Sequence, residues 1–256
     1  MPTWDPDLYL RFANERTQPT IDLVARLGEI RPATIIDLGC GPGNSTAILL
    51  KRFPEAKIIG LDHSDEMIEQ ARAALPLIDW IHADVRLWKP DYHFDLVFSN
   101  AALQWVPDHA RLVPQLMGWL NPAGVLAVQM PLHYDSPLQQ IIQKVARDPS
   151  WAHRMDGPLN ALTRHPSGFY YDILSGLSAH IDIWQTEYFH QLESPQAIVD
   201  WMRGTGLRPF LEALTTESER QQFEEAVLAG TTAAYPRQKD GRVLFPFKRQ
   251  FVIAHA

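Results

Sequence analysis

The amino-acid sequence predicts an α/β protein whose sheet is mostly parallel and carries helices on both faces. Two observations support this fold class. Short apolar runs alternate with helical stretches between residues 33 and 130, and the first loop between them is rich in glycine. A strand, a crossover helix and a second strand at this spacing form right-handed βαβ units, which build parallel sheets.

The strands of this first half are predicted from short runs rich in Ile, Val and Leu. They lie at residues 34–38, 57–61, 78–82, 94–99 and 124–130. Ser64 is expected to cap the helix after the second strand, because its hydroxyl can accept a backbone N–H. Asp65 and Glu66 follow in the first turn, where the partial positive charge of a helix favours acidic side chains.

The second half is predicted to be mainly helical between residues 131 and 179 and to contain two late strands. One late strand is expected at 180–191, followed by a helix that starts at Ser194 and Pro195. Thr216 and Glu219 fit a capping box. The closing strand is expected at 250–254 with Pro246 ahead of it, since proline has no N–H for a sheet. Helical segments between the late strands indicate a small cap inserted into the sheet.

Composition and charge exclude several classes of protein. Of 256 residues, 46% are hydrophobic and 21% are charged, which excludes a generally disordered chain. The formal net charge is −7, so nucleic acids and anionic membrane surfaces are disfavoured as partners. The amino terminus lacks the features of a signal peptide, and no apolar run reaches about 18 residues. A cytoplasmic location is therefore expected.

Cysteine and histidine usage indicates neither disulfides nor a metal site. The single cysteine, Cys40, excludes an intrachain disulfide and a multi-cysteine zinc site. His133, His153 and His165 lack the close paired spacing of metal ligands, so no metal is expected. Cys40 lies between two glycines, where a small side chain fits, and is not expected to act as a nucleophile.

The strongest motif is the segment Asp37-Leu38-Gly39-Cys40-Gly41-Pro42-Gly43-Asn44, which follows a strand and opens a helix. Glycine lets the backbone approach a ligand closely, and the N–H groups at the start of the helix suit an anionic group. Asp62 ends the next strand and is placed to bind ribose hydroxyls. Together these features predict a nucleoside-containing cofactor.

A dinucleotide and S-adenosylmethionine are the two cofactors to be considered. The glycines at positions 39, 41 and 43 recur at every second residue, unlike the G-x-G-x-x-G spacing of dinucleotide loops. The carboxylate of Asp37 would repel a pyrophosphate, whereas it can pair with the amino group of a methionine moiety. S-adenosylmethionine is therefore favoured.

The segment resembles motif I of the class I S-adenosylmethionine-dependent methyltransferases. The resemblance implies a Rossmann-like fold with a seven-stranded sheet, with Asp62 on the ribose, His63 and Met67 beside the adenosine, and Asp84 and Val85 at the adenine. In that family an N-terminal segment can close over the cofactor, which would bring Arg16 to the site; a helix that packs on the core is the alternative. The implied cofactor-binding residues are Arg16, Asp37, Gly39, Gly41, Asn44, Asp62, His63, Met67, Asp84, Val85, Asn100, Ala101 and Trp105.

Three stretches outside this half carry a narrower resemblance, at residues 170–174, 182–192 and 201–210. They are similar to a family of carboxyl O-methyltransferases that act on trans-aconitate. The resemblance implies transfer of a methyl group to one carboxylate of this small tricarboxylate, giving a monomethyl ester and S-adenosylhomocysteine. A carboxylate is ionised at neutral pH, so no general base is required, and the protein must supply proximity, alignment and exclusion of water.

The other carboxylates of such an acceptor need cationic and hydrogen-bonding side chains. For each candidate, a surface ion pair or a packing role is the alternative. The candidates are His133, Arg164, Tyr170, Tyr171, His190, Arg203 and Arg208. The expected organisation is one domain over residues 1–256, with an N-terminal lid or helical segment at 1–30, a cofactor-binding core at 31–130, and an acceptor-binding helical cap at 131–179 and 193–241.

Other functions remain open at this point. A class I methyltransferase could act on another small carboxylic acid or on the carboxyl group of an acyl thioester. An NAD-dependent oxidoreductase is a more distant alternative. Methylation of nucleic-acid bases is disfavoured, because the segment Asn100-Ala101-Ala102-Leu103 lacks the Asn-Pro-Pro-aromatic signature. The sequence does not determine the oligomeric state.

Overall fold

The structure, a computed structural model, describes residues 13–132 and 134–256, with side chains from Thr17 onward. Within these ranges the strands are β1 (Thr34–Leu38), β2 (Lys57–Asp62), β3 (Asp79–His82), β4 (Phe94–Asn100), β5 (Leu120–Pro131), β6 (His180–Leu192) and β7 (Val243–His255). The helices are α1 (Ala13–Arg26), α2 (Asn44–Arg52), α3 (Asp65–Ala74), α4 (His109–Met117), α5 (Pro137–Ala146), α6 (Asp156–Leu159), α7 (Ser167–Leu174), α8 (Pro195–Arg203), α9 (Arg208–Ala213) and α10 (Glu217–Ala234).

The strands form one seven-stranded sheet in the order β3-β2-β1-β4-β5-β7-β6. The pairs β3–β2, β2–β1, β1–β4 and β4–β5 are parallel, and β7 is antiparallel to β5. The α/β class and the mostly parallel sheet are thus confirmed. The chain moves outward in one direction from β1 and in the other from β4, so the switch point lies between these strands. In such sheets a ligand binds beyond the carboxyl ends of the strands at this point.

Side chains of opposite faces of the sheet meet different helices. Asp37 of β1 faces α2, where its carboxylate accepts hydrogen bonds from Ser45 and Thr46. On the other face, buried residues of β1, β4, β5 and β7 pack in one apolar cluster with residues of α4 and α7. Helices therefore cover both faces, as the sequence predicts.

The described residues fall into two compact units, each with its own apolar core. The sheet unit comprises Arg16–Pro131, Thr163–Thr186 and Arg249–Ala256, and the helical unit comprises Leu132–Leu162 and Glu187–Lys248. The core of the helical unit is built from residues of α5, α8, α9 and α10, with Trp201, Phe223 and Phe245 among its large side chains. Residues 163–179, which the sequence assigns to the cap, lie in the sheet unit.

Local signals at helix starts are confirmed. The Ser64 hydroxyl accepts the Met67 N–H at the start of α3, and Ser194 does the same for Ala197 at the start of α8. Thr216 and Glu219 form the reciprocal capping box of α10. Among the helices of the described residues, none is long and apolar enough to cross a membrane.

The predicted start of the closing strand is wrong. β7 begins at Val243 rather than at residue 250, and Pro246 lies inside it. Pairing with β5 runs only from Arg249 to His255, so Pro246 lies beyond the end of β5 and its missing N–H costs no hydrogen bond to that strand. The alternation of buried Val243, Phe245 and Phe247 with more exposed residues continues the strand through the proline.

Candidate active site

The glycine-rich loop after β1 makes a close approach to the loop after β4. Gly39 has φ +66°, and a Cβ at this position would lie 2.2 Å from Cβ of Ala102. Gly41 also has positive φ, +54°, but a Cβ there would meet nothing within 4 Å. Gly39 therefore lets two loops of the switch point touch, while Gly41 borders open space suited to a ligand.

The carboxylate of Asp62 ties this loop to the end of β2. Its Oδ2 accepts the Gly41 N–H at 2.9 Å, and its Oδ1 accepts the Ser64 N–H at 2.9 Å. The imidazole of His63, largely exposed, has Nδ1 3.3 Å from Oδ1. Burial alone would raise the pKa of Asp62, but hydrogen bonds from His63, Ser64 and Gly41 lower it. Asp62 is thus ionised at neutral pH and fixed in orientation.

Asp37 lies at the end of β1 and is fully buried. Its Oδ2 accepts the hydroxyl of Ser45 at 2.6 Å and that of Thr46 at 2.7 Å, which fastens the first turn of α2 to the strand. Burial raises the pKa of Asp37 from 3.8 to about 6, although these two hydrogen bonds oppose the shift. Its Oδ1 has no hydrogen-bond partner within the described residues. Asn44 begins α2 directly after Gly43.

The segment after β3 lies beside Asp62. The N–H of Ala83 donates to the carbonyl of Asp62 at 2.9 Å, and Nε2 of His82 is 2.9 Å from the carbonyl oxygen of His63.

The residues expected at the adenine and adenosine differ in their surroundings. Asp84 is paired with Arg86, whose Nε lies 2.9 Å from Oδ2 of Asp84. That ion pair occupies part of the acceptor capacity expected at an adenine. Val85 is buried and Met67 is half-buried on α3.

The segment after β4 lies beside the glycine-rich loop, at the carboxyl ends of the parallel strands. Asn100 ends β4, and Ala101 follows with φ +53° while its N–H donates to the carbonyl of Gln129 at 2.9 Å. Oδ1 of Asn100 is buried and has no hydrogen-bond partner in the described part of the chain. Trp105 ends a short 3-10 turn with 40% of its surface exposed. The structure therefore gathers the described cofactor-binding candidates at the carboxyl edge of one unit; Arg16 lies outside the described side chains.

The acceptor-binding candidates of the sheet unit differ in exposure. Tyr170 is buried, and its hydroxyl lies 2.6 Å from Nδ1 of His109. His109 Nε2 lies 2.9 Å from the carbonyl oxygen of Leu103, which makes Nε2 the protonated nitrogen and Tyr170 the donor to Nδ1. Burial lowers the pKa of His109 and keeps it neutral. Tyr171 is exposed and Arg164 is half-buried. His133 lies outside the described residues.

The candidates of the helical unit have partners there. His190 is buried among aromatic rings, with its ring centroid 4.8 Å from that of Trp201. Arg203 binds Glu224 through two hydrogen bonds of 2.6 and 2.9 Å. Arg208 is exposed and its Nε lies 2.8 Å from Oε1 of Glu212, one turn away on α9.

Two polar residues that the sequence reasoning missed lie next to this edge. Gln129 of β5 is fully buried, and Arg249 of β7 is 4% exposed. Nη1 of Arg249 donates to Oε1 of Gln129 at 3.3 Å. In β5, Val125, Ala127 and Gln129 lie on one face, as the alternation of side chains in a strand requires. Arg249 immediately precedes the predicted closing strand, so a strand predicted to begin at Arg249 would have included it.

Cys40 lies in the glycine-rich loop after β1. Cys40 is buried, and burial raises the pKa of its thiol. A thiol held in its neutral form is a poor nucleophile. Among the residues whose side chains the structure describes, no group of three His, Cys, Asp or Glu could hold a metal ion.

The sheet order, the glycine loop at the switch point and the acid at the end of β2 define a class I methyltransferase. A model of the methyltransferase domain matches residues 35–124. The crystal structure of coclaurine N-methyltransferase bound to N-methylheliamine and S-adenosylhomocysteine has the same fold, with a TM-score of 0.54 and 13% identity over 94% of this chain and 72% of that one.

Full-length relatives are more informative about the family. Trans-aconitate 2-methyltransferase of Azoarcus sp. (strain BH72) is 48% identical over 254 residues, which are 99% of each chain. The enzyme of that name from Escherichia coli (strain K12 / DH10B) is 46% identical over 99% of this chain and 98% of its own. The chain belongs to the trans-aconitate 2-methyltransferase family.

Proposed function

We propose that the protein transfers a methyl group from S-adenosylmethionine to a carboxylate of trans-aconitate, giving the monomethyl ester and S-adenosylhomocysteine. The observation that carries the proposal is the match to enzymes of that activity over 99% of the chain. The match spans both compact units, so it includes residues outside the widely shared cofactor loop.

The carboxyl edge fits S-adenosylmethionine. Open space at Gly41 admits the methionine moiety close to the backbone, and ionised Asp62 is held where it can accept from ribose hydroxyls. The unpartnered Oδ1 of Asn100 suits a donor such as an ammonium group. His63, Met67, Val85 and Asp84 would line the adenosine, with Ala101 and Trp105 on the other side of the loop.

When bound, the cofactor supplies a sulfonium methyl group, which passes to a carboxylate oxygen while sulfur keeps the electron pair of the broken bond. The acceptor oxygen carries no proton at neutral pH, so no side chain has to remove one. The chain's own residues therefore bind and align the reactants and exclude water, effects worth up to roughly 7–11 kcal/mol. Arg164 and Tyr171 of the sheet unit remain proposed acceptor-binding residues from the sequence, whereas His190, Arg203 and Arg208 have partners within the helical unit.

The partners expected of this enzyme follow from its charge and substrates. A net charge of −7 supports a small-molecule acceptor rather than a nucleic acid or an anionic membrane. A cytoplasmic location is part of the proposal.

Two assays test the cofactor and the acceptor separately. Thermal unfolding is measured with S-adenosylhomocysteine and with NAD; a raised Tm with S-adenosylhomocysteine alone is expected, and a raised Tm with NAD alone would overturn the methyltransferase assignment. Initial rates are then compared for trans-aconitate, citrate, cis-aconitate and a malonyl thioester. The highest kcat/KM is expected for trans-aconitate, and a higher value for another acid would reassign the acceptor.

A further inference from the structure

Arg249 and Gln129 lie on the sheet face that also carries the cofactor loop. Gln129 is the parallel partner of Asn100 and the antiparallel partner of Phe251, so these three side chains share a face. Arg249 precedes Phe251 by two residues on β7, so its side chain lies on the same face. The same face contains Asp37, because Asp37 is paired with Phe98, two residues before Asn100.

The order of the strands indicates where the cofactor and the acceptor would bind along the sheet. Asp84 follows β3, Asp62 ends β2 and the glycine loop follows β1, so the proposed cofactor extends from adenine to methionine in the direction of β4. The next strands in that direction are β5 and β7. Neighbouring strands are about 4.8 Å apart, which puts β7 about 10 Å beyond β4, within the reach of an acceptor molecule and an arginine side chain.

The two side chains are held in a defined arrangement. The guanidinium of Arg249 donates to Oε1 of Gln129. Because arginine has only donors, this contact orients the amide, and Nε2 of Gln129 points elsewhere. That nitrogen is buried, belongs to a residue with 0% exposure, and has no hydrogen-bond partner within the described residues. A buried N–H donor without an acceptor is costly unless a ligand supplies one.

The carboxyl ends of the strands beside this pair are partly exposed. Asn100 at the end of β4 and Pro131 at the end of β5 are both partly exposed, and Pro131 is the direct strand partner of Arg249. A carboxylate that enters beside Asn100 would approach the guanidinium of Arg249 and Nε2 of Gln129, the nitrogen without a hydrogen-bond partner in the described part of the chain. Guanidinium and carboxylate match each other in a bidentate geometry.

We propose that Arg249, oriented by Gln129, binds a carboxylate of the methyl acceptor that is not methylated. This inference rests on the proposed function, since it names residues that recognise the acceptor. It assigns a cationic contact to β7, a strand that carries none of the sequence-derived acceptor candidates. The Gln129 amide donates a further hydrogen bond to the same carboxylate.

Two substitutions test the assignment without removing large side chains. Gln129→Glu places a carboxylate of the same shape beside Arg249, where it neutralises the guanidinium and competes with the acceptor. Arg249→Lys keeps the charge but loses the fork. The matched control is Gln140→Glu, the same chemical change at an exposed position of α5. Circular dichroism and Tm establish that each variant is folded before binding is measured.

The primary readout is equilibrium binding of trans-aconitate to protein saturated with S-adenosylhomocysteine, measured by calorimetry. Gln129→Glu and Arg249→Lys are expected to weaken binding of trans-aconitate by roughly 10- to 100-fold. Gln140→Glu should bind trans-aconitate like the wild type, and all three variants should keep the wild-type affinity for S-adenosylhomocysteine. In turnover the same variants raise KM and change kcat little. Unchanged trans-aconitate binding in both variants would overturn the proposal.

A comparison of acceptors separates recognition from a structural role of Arg249. Itaconate, cis-glutaconate and mesaconate each lack a different one of the three carboxylates of trans-aconitate and keep the geometry of the other two. Arg249→Lys should weaken one of them far less than trans-aconitate, and an equal loss for all four acids would overturn the proposal. If the wild-type protein binds trans-aconitate but forms no ester, and Gln129→Glu abolishes that binding, the proposed function fails while the binding site stands. If the wild-type protein binds no tricarboxylate, both proposals fail.

Discussion

The carboxylate of Asp62 accepts the backbone N–H of Gly41 across 2.9 Å and so joins the end of β2 to the loop after β1. A second bond from the N–H of Ser64 fixes the other carboxylate oxygen. One side chain thereby shapes the glycine loop, begins the turn into α3 and presents an ionised acceptor at the switch point. Loop geometry and cofactor affinity are expected to depend together on this residue.

Asp62→Ala should weaken binding of S-adenosylhomocysteine by roughly 10- to 100-fold, because it removes both the proposed ribose contact and the hydrogen bond to Gly41. Calorimetric titration measures the change. Asp79→Ala, an exposed aspartate at the start of β3, serves as the control and should bind normally. Equal affinities for the two variants would contradict the role of Asp62.

Alanine substitutions at three glycines with positive φ distinguish the cost of backbone strain from the cost of a clash with a neighbouring atom. Gly28, Gly39 and Gly41 have φ of +68°, +66° and +54°, and only at Gly39 among the three would a Cβ meet another atom. Alanine at Gly28 or Gly41 should cost about 1 kcal/mol of unfolding free energy, whereas Gly39→Ala should cost several times more. Denaturant titration measures these costs.

Ligand binding by the same glycine variants gives a distinct expectation. Gly41→Ala should lose most of its affinity for S-adenosylhomocysteine, since its Cβ enters the space proposed for the cofactor. Gly28→Ala, which follows α1, should bind like the wild type at a similar cost in stability. Normal binding by Gly41→Ala would show that the cofactor does not approach this part of the loop.

The buried carboxyl of Asp37 predicts a pH dependence of stability. Its pKa in the folded protein is about 6 against an ordinary value of 3.8, so the folded chain holds the proton more tightly than the unfolded chain. This contribution to stability is present below pH 3.8 and is lost as the pH rises through 6. The difference corresponds to about 3 kcal/mol.

Asp37→Asn keeps an oxygen for Ser45 and Thr46 but does not titrate. Unfolding free energies of the wild type and this variant are therefore measured between pH 4 and pH 7. Wild type should lose up to about 3 kcal/mol relative to the variant over this range. A difference that stays constant with pH would mean that Asp37 does not titrate there.

The hydroxyl of Tyr170 is expected to stabilise the core through His109. Tyr170→Phe should lower the unfolding free energy by about 1–3 kcal/mol, because it leaves the buried Nδ1 of His109 without its donor. Tyr171→Phe, at the exposed neighbouring position, should change stability by less than about 0.5 kcal/mol. Acceptor KM is measured for both. A rise in KM with Tyr170→Phe and no loss of stability would instead make Tyr170 an acceptor-binding residue.

Much of the fold and the cofactor edge could be predicted because short-range signals specify them. The apolar run of β1, the glycines after it and the cap at Ser64 are all readable within a few residues, and parallel topology then brings Asp62 to the loop. Gln129 and Arg249 could not be found in that way. Their contact depends on the antiparallel register of β5 and β7, strands separated by more than a hundred residues, and Pro246 hid the true start of β7.

The candidate acceptor residues show the same limit. Arg203 and Arg208 have the right chemistry in the sequence, yet Glu224 and Glu212 bind them in the structure. Tyr170 belongs to a stretch that resembles the family, but its hydroxyl is turned into the core. Side-chain partners of this kind depend on tertiary packing, which residue type alone does not reveal.

Transfer of label from methyl-labelled S-adenosylmethionine to trans-aconitate by the purified protein tests the proposed function most directly. Labelled product is expected at a rate far above a control without acceptor, and mild alkali should release the label, as expected of a methyl ester. Label no higher than that control, in protein that binds S-adenosylhomocysteine, would contradict the assignment of trans-aconitate as the acceptor.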